Sequence, residues 1–226
     1  ATAGDPRGDS ENQLFGIDYL FQTPSFLGGG RLQADAFYQA SFSDQVDDDD
    51  SYGVRVDYPN DRWSWRLEYR QIGEDFDPAL GFINRPGTNT YRGQWARRFR
   101  PAGGPLRYWE FGTDHEHITD LDGELETRED ALEFKVETAA TDEIDFAILD
   151  VEERVTTPFT LPGGLIVPAG IYANDGVSFN IETARTRPYG LVAEFQRRDF
   201  FGGEADGYEV ELLMRPNRIL DLQIGY

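Results

Sequence analysis

Residues 73–82, GEDFDPALGF, concentrate more reactive and anchoring side chains than any other short stretch of this chain. Glu74, Asp75 and Asp77 place three carboxylates within four positions. Arg85 follows closely, and Phe76 and Phe82 can pin the segment down. Arg66 and Arg70 lie just upstream, on alternate positions of an extended stretch. The functional expectation is a loop folded into the mouth or interior of a larger structure, its acids meeting Arg66 and Arg70. An ordinary ordered loop, with Pro78 and the glycines setting turns and the rings packing, accounts for the same residues, because long loops are only sometimes functional.

Other constellations are weaker. His115 and His117 share one face of a strand, with Asp114 and Glu116 on the other. Two ligands fall short of a metal site, so surface or interior histidines are expected. Residues 47–50 are four aspartates in a row. Calcium needs ligands converging from spaced positions, and solvated charge is the better reading. Asp120, Asp122, Gly123, Glu124 and Glu126 have the composition of a calcium loop without its spacing, and an Asp-Gly hairpin turn is simpler. Arg97, Arg98 and Arg100 form a basic cluster, as do Arg197 and Arg198. They suit lipid head groups or ion pairs with interior acids. Ion pairs are preferred, since a charge facing lipid costs about 2–4 kcal/mol at the midplane. No metal and no cofactor is expected.

Composition narrows the function further. The formal net charge is −21, which disfavours nucleic acid, because that affinity comes from Lys and Arg on phosphates. There is no Cys, so disulfides, thiolate metal sites and thiol catalysis are absent. No phosphate-binding Gly loop, Ser nucleophile elbow or paired-His zinc helix occurs. Carboxylates are so plentiful that a glycosidase-like pair could be picked by chance. No catalytic residue is assigned, and the chain is expected not to be an enzyme.

The elements that must position these residues are strands. Apolar and polar residues alternate from residue 14 onward. In 14–23, Phe15, Ile17, Tyr19 and Phe21 share a face; in 62–71, Trp63, Trp65, Leu67 and Tyr69 oppose Arg62, Ser64, Arg66, Glu68 and Arg70. Similar stretches at 31–42, 52–58, 91–99, 106–118, 124–138, 143–155, 177–181, 189–195, 208–214 and 220–226 bring the count to twelve. Residues 131–138 could be argued as helical but sit in an alternating context. Residues 1–13 are read as a polar loop, and 14–226 as the antiparallel strands of a single segment. The 16 Phe, 11 Tyr and 24 Gly suit strands and tight turns.

Each apolar row has to be covered. A soluble sandwich leaves the charged row in water; a membrane barrel puts the rings against lipid and the charges in a polar lumen. Three features favour the membrane. The strands are about ten residues long, as a tilted span needs. Aromatics fall near strand ends, as an interfacial girdle places them. Connections at 59–61, 101–105, 141–142, 185–188 and 216–218 are short, whereas 73–88 and 155–170 are long and 43–51 and 200–206 intermediate. No continuous apolar stretch approaches the roughly 18 residues of a membrane helix. Lipid-facing positions are then Trp63, Trp65, Tyr69 and Trp95. With short turns on the periplasmic side, both chain ends fall outside the cell, which is expected of a piece of a larger barrel.

Residues 62–87 also resemble a known family. Gly73, Glu74, Asp75, Phe76, Asp77, Pro78, Leu80, Gly81 and Phe82 match the Gly-Glu-(Asp/Asn)-Phe-(Asp/Asn)-Pro-x-Leu-Gly-Phe loop of the bacterial outer-membrane β-barrel domain of unknown function that follows a family-9-type carbohydrate-binding module. Residues 4–19, the turn at 120–123 and residues 162–172 are similar to it as well, although only the 73–82 loop is specific. The resemblance implies part of an all-β, antiparallel, up-and-down transmembrane barrel in a Gram-negative outer membrane. It carries no catalytic residues over, and its usual carbohydrate-binding module is not visible in this sequence. The expected function is transport or surface display through a polar, charged lumen, linked to polysaccharide use. Expected partners are outer-membrane lipid and polysaccharide or small solutes, with no nucleic acid. A soluble, aromatic-rich carbohydrate-binding sheet is the alternative, and a polysaccharide hydrolase the second alternative.

Overall fold

The computed structural model of the chain describes residues 2–4, 12–78, 81, 83–217 and 219–226. Its strands are β1 (Thr2–Gly4), β2 (Asn12–Phe26), β3 (Gly30–Ser43), β4 (Asp49–Pro59), β5 (Trp63–Ile72), β6 (Thr88–Phe99), β7 (Leu106–Asp120) and β8 (Leu125–Thr138). They continue with β9 (Glu143–Val155), β10 (Phe159–Thr160), β11 (Ile166–Val167), β12 (Gly170–Ala173), β13 (Gly176–Glu182), β14 (Tyr189–Phe200), β15 (Gly203–Met214) and β16 (Leu222–Gly225). No helix occurs among the described residues, so 131–138 is strand. The protein is an all-β antiparallel sheet of about thirteen strands, ordered β1 to β9 and then β13 to β16. β12 pairs with the last four residues of β9, and β10 and β11 form a separate small hairpin. The strand order is linear and does not close into a barrel.

All twelve stretches read from alternation are strands. Sequence reading missed β1, which pairs Thr2–Gly4 with residues 13–15 inside what was read as loop. It also missed the two- to four-residue strands β10, β11 and β12, which are too short to show a period. One turn differs outright. The 200–206 connection is only Phe201–Gly202, both at positive φ (47° and 82°), between paired Phe200 and Gly203. That is the geometry of a two-residue hairpin turn, and it turns residues 203–206 from loop into strand. In β2 the register slips between Thr23 and Phe26, where Pro24 has no N–H to give the ladder.

The chain forms two compact units: Ala1–Gln94 with His115–Thr127, and Trp95–Asp114 with Arg128–Tyr226. In both, burial runs opposite to a soluble sheet. Along β2–β9 and β13–β15, no Phe, Tyr, Trp, Leu, Ile or Val of the apolar row is buried. Ile17 is 62 % exposed, Leu67 60 % and Tyr208 60 %. Most buried positions lie on the charged row instead, among them Ser41, Ser51 and Asp57 in the first unit and Tyr108, Ala131, Glu137 and Leu213 in the second, while Ala40, Asn89 and Thr119 are buried on the apolar row. Apolar side chains are normally the ones withdrawn from water.

Ring contacts order the apolar row of the first unit into bands. Toward the loop ends of the strands run Tyr52–Tyr69 (6.1 Å), Tyr69–Tyr91 (5.1 Å) and Tyr91–His117 (6.2 Å). Toward the turn ends run Phe26–Tyr58 (6.4 Å) and the Tyr58–Trp65 stack (5.7 Å). Between them the register pairs Val56 with Leu67 and Ala34 with Val56. In the second unit, Phe99 stacks on Trp109 at 4.0 Å near the 100–105 turn.

Candidate functional site

The opposite row carries the charges. Across β3, β4 and β5, Arg55 bridges Asp35 (3.0 Å) and Asp57 (3.2 Å), and Arg66 donates to the other oxygen of Asp57 at 2.5 Å. Arg92 on β6 lies between Glu68 (3.8 Å) and Glu116. In the second unit Arg98 bonds Glu110 (2.8 Å), and Lys135 meets Glu143 (2.7 Å) and Asp145 (3.5 Å). A cavity of about 370 Å³ opens on this face, lined by Glu110, Glu133, Lys135, Asp145, Ser178 and Asn180 among others. Paired strands put these partners directly opposite or diagonal to one another, close enough for long side chains to meet.

Charge does reach the apolar row of the second unit near both strand ends: Arg97, between Trp95 and Phe99, holds its guanidinium 4.9 Å over the Phe99 ring at the turn end, and ion pairs occur at the loop end. There Arg128 bonds Asp150 (3.0 Å), and Arg197 bonds Glu204 (2.7 Å). The Arg197 and Arg198 pair therefore sits beside the Phe201–Gly202 turn, at the opposite strand end from the Arg97–Arg98–Arg100 cluster. Below Arg197 the apolar row of β15 runs uninterrupted from Tyr208 through Val210 and Leu212 to Met214. Seven residues span about 23 Å along a strand.

Residues 73–77, at the start of the 73–82 loop, fold back against strands of their own unit. The Gly73 N–H donates to the Asp50 carbonyl (2.9 Å), and the Asp75 N–H to the Asp49 carboxylate (2.9 Å). The Asp77 N–H donates to Ser41 Oγ (3.1 Å). The Asn12 amide donates at 3.0 Å to both the Asp77 carbonyl and its carboxylate. Phe76 is 6 % exposed, the most buried ring among the described residues of the first unit. Ser41 and Ser51 are on the charged row, so this latch crosses the ends of β2, β3 and β4 on the polar side. A Cβ on Gly73 would overlap the Asp49 carboxylate, which explains the glycine at the foot of the latch. Gly87 (φ 69°) closes the loop by donating to the Gly73 carbonyl (3.0 Å), with the Glu74 side chain against its backbone.

The loop therefore does enter the polar side, but its acids do not meet Arg66 or Arg70. Arg66 is engaged by Asp57. Asp75 and Asp77 use their backbone N–H groups on Asp49 and Ser41, and Asp77 also accepts from Asn12. Of the sequence-derived residues, Ala79, Leu80 and Phe82 lie outside the described residues. Asn12, Ser41 and Asp49 were missed as site residues, and nothing local in the sequence marks them. Asp49 belongs to the 47–50 run, and its role is to accept backbone N–H bonds from Asp50 (2.7 Å) and Asp75. Among the described residues no group of three or more His, Cys, Asp or Glu is arranged to hold a metal ion.

On the apolar row, Trp63 is exposed and Trp65, Tyr69 and Trp95 half-buried by their neighbours. Tyr69 turns its hydroxyl to Asn89 (2.9 Å) at the loop end. No protein-family model matches the chain, and no curated protein matches it either.

Proposed function

We propose that this chain is a membrane-spanning segment of a bacterial outer-membrane β-barrel, serving transport or surface display, with no catalytic role. One observation supports this above the others. The sheet's apolar row is its exposed row, and most of its ion pairs away from the loop ends are on the more buried one. In water so large an exposed apolar surface is a liability; against lipid it is the stable arrangement. The aromatic bands of the first unit and the ion pairs at loop ends of the second mark where such a row would leave hydrocarbon. The charged row then lines a wet interior that the 73–77 latch narrows. Residues 73–77 resemble the family loop described above, which favours the same reading and its link to polysaccharide.

The test is to refold the chain into phosphatidylcholine vesicles with brominated acyl chains. Bromines quench tryptophans that touch hydrocarbon, and Trp63, Trp65 and Trp95 should be quenched relative to unbrominated lipid. A chain that stays soluble without detergent and shows unquenched tryptophans in vesicles would refute the proposal, leaving the soluble sheet as the reading.

A further inference from the structure

Arg70 differs from its nearest arginine neighbours on the row. Arg55, Arg66 and Arg92 each have a carboxylate at contact distance. Arg70 has none among the described residues, and its Nε is buried with no hydrogen-bond acceptor. Register explains the isolation. Arg70 pairs with Gly53 on β4, and Gly53 pairs with Phe37 on β3. The Phe37 ring lies 2.7 Å from where a Gly53 Cβ would be, so it fills the space in which a counter-ion side chain could stand. The acid next along the row, Glu68, is turned to Arg92. Of the latch acids, Asp77 takes the Asn12 amide on its carboxylate, and neither Glu74 nor Asp75 forms an ion pair with Arg70 among the described residues. Arg70 as a whole is half-buried, and a buried donor left without an acceptor is costly.

We propose that Arg70 is a binding site for an oxyanion, a carboxylate or phosphate group of a solute, on the charged row beside arginines that are already paired. The two terminal nitrogens take the anion side-on, as a guanidinium takes a carboxylate. The neighbouring arginines do not compete, because their carboxylates already occupy them. This site rests on the reading of the charged row as a wet interior, and it gives that interior a preference that the net charge of −21 does not suggest.

The experiment uses the full chain, labelled with ¹⁵N-arginine, in a non-ionic detergent. Acetate and then phosphate are titrated against chloride at constant ionic strength while the arginine Nε–H resonances are followed. Arg70 is identified by the resonance lost in Arg70→Gln, and independently in Arg70→Lys should either variant fold poorly. The expected result is a saturable shift of that resonance alone, at millimolar anion, with Arg55, Arg66 and Arg92 unmoved. No saturable shift overturns the site, as does an equal drift of all arginines. Failure of the membrane reading is seen separately, as a chain that needs no detergent.

Discussion

Leu67 is the position where the two environments proposed for the apolar row differ most. It lies between Trp65 and Tyr69 on β5, is paired with Val56, and is 60 % exposed. Replacing it with arginine removes little packing, because little protein covers it. On a sheet facing water the substitution should change stability by no more than about 0.5 kcal/mol, as at most surface positions. Facing lipid between the two aromatic bands, an arginine costs about 2–4 kcal/mol. At 1.36 kcal/mol per factor of ten, that lowers the folded-to-unfolded ratio roughly 30- to 900-fold. Urea unfolding of the vesicle-inserted chain, followed by tryptophan emission, reads this as a lower midpoint at unchanged slope. A Leu67→Arg chain within 0.5 kcal/mol of the parent in vesicles would refute the assignment of this row to lipid.

Glu209→Lys tests the other row: Glu209 is paired directly opposite Glu194, so relieving that repulsion should stabilise by about 0.2–1 kcal/mol in the same assay. Gly73→Ala should drive the foot of the latch off Asp49, seen as faster hydrogen exchange at residues 73–77 with little change in the exchange of β14 and β15. The Ala184 N–H (3.0 Å), and then the Arg187 guanidinium (2.7 Å), hold the Asp142 carboxyl below its usual range. A lowered folded-state pKa gives stability that is complete above the ordinary aspartate range and lost as pH falls through the lowered value. Acid titration of stability should therefore show a loss in that window which Asp142→Asn removes.

The twelve long strands were legible because covering one face of a strand imposes a period of two, and Trp63, Trp65, Leu67 and Tyr69 display that period without interruption. Either row can be the exposed one with the same period, so alternation could not say which; the structure leaves Leu67 exposed and Asp57 buried. The Phe201–Gly202 turn was hidden because such turns are normally announced by Asn-Gly or Asp-Gly, and a phenylalanine at positive φ is a rare choice. The latch partners were hidden for a different reason. Asn12 and Asp77 are 65 positions apart, and Asp49 and Asp75 are 26 apart. Their bonds run largely to backbone N–H and carbonyl groups, which every residue offers alike. Charge complementarity pointed instead to Arg66 and Arg70, the nearest cations in sequence, but Arg66 is neutralised by its cross-strand neighbour.

Along the sheet, each strand's next partner is the next long strand of the chain, even across the 20-residue connection after β9. No strand has to be threaded between two others already in place. Assembly can thus proceed hairpin by hairpin, most steps closing a short loop and the two long connections adding only modestly to the entropic expense, with low contact order for so wide a sheet. The same sequential order makes the width of the sheet a modular property: a hairpin could be duplicated or removed by a single in-frame event, widening or narrowing the wall while every remaining neighbour relation stays as it was.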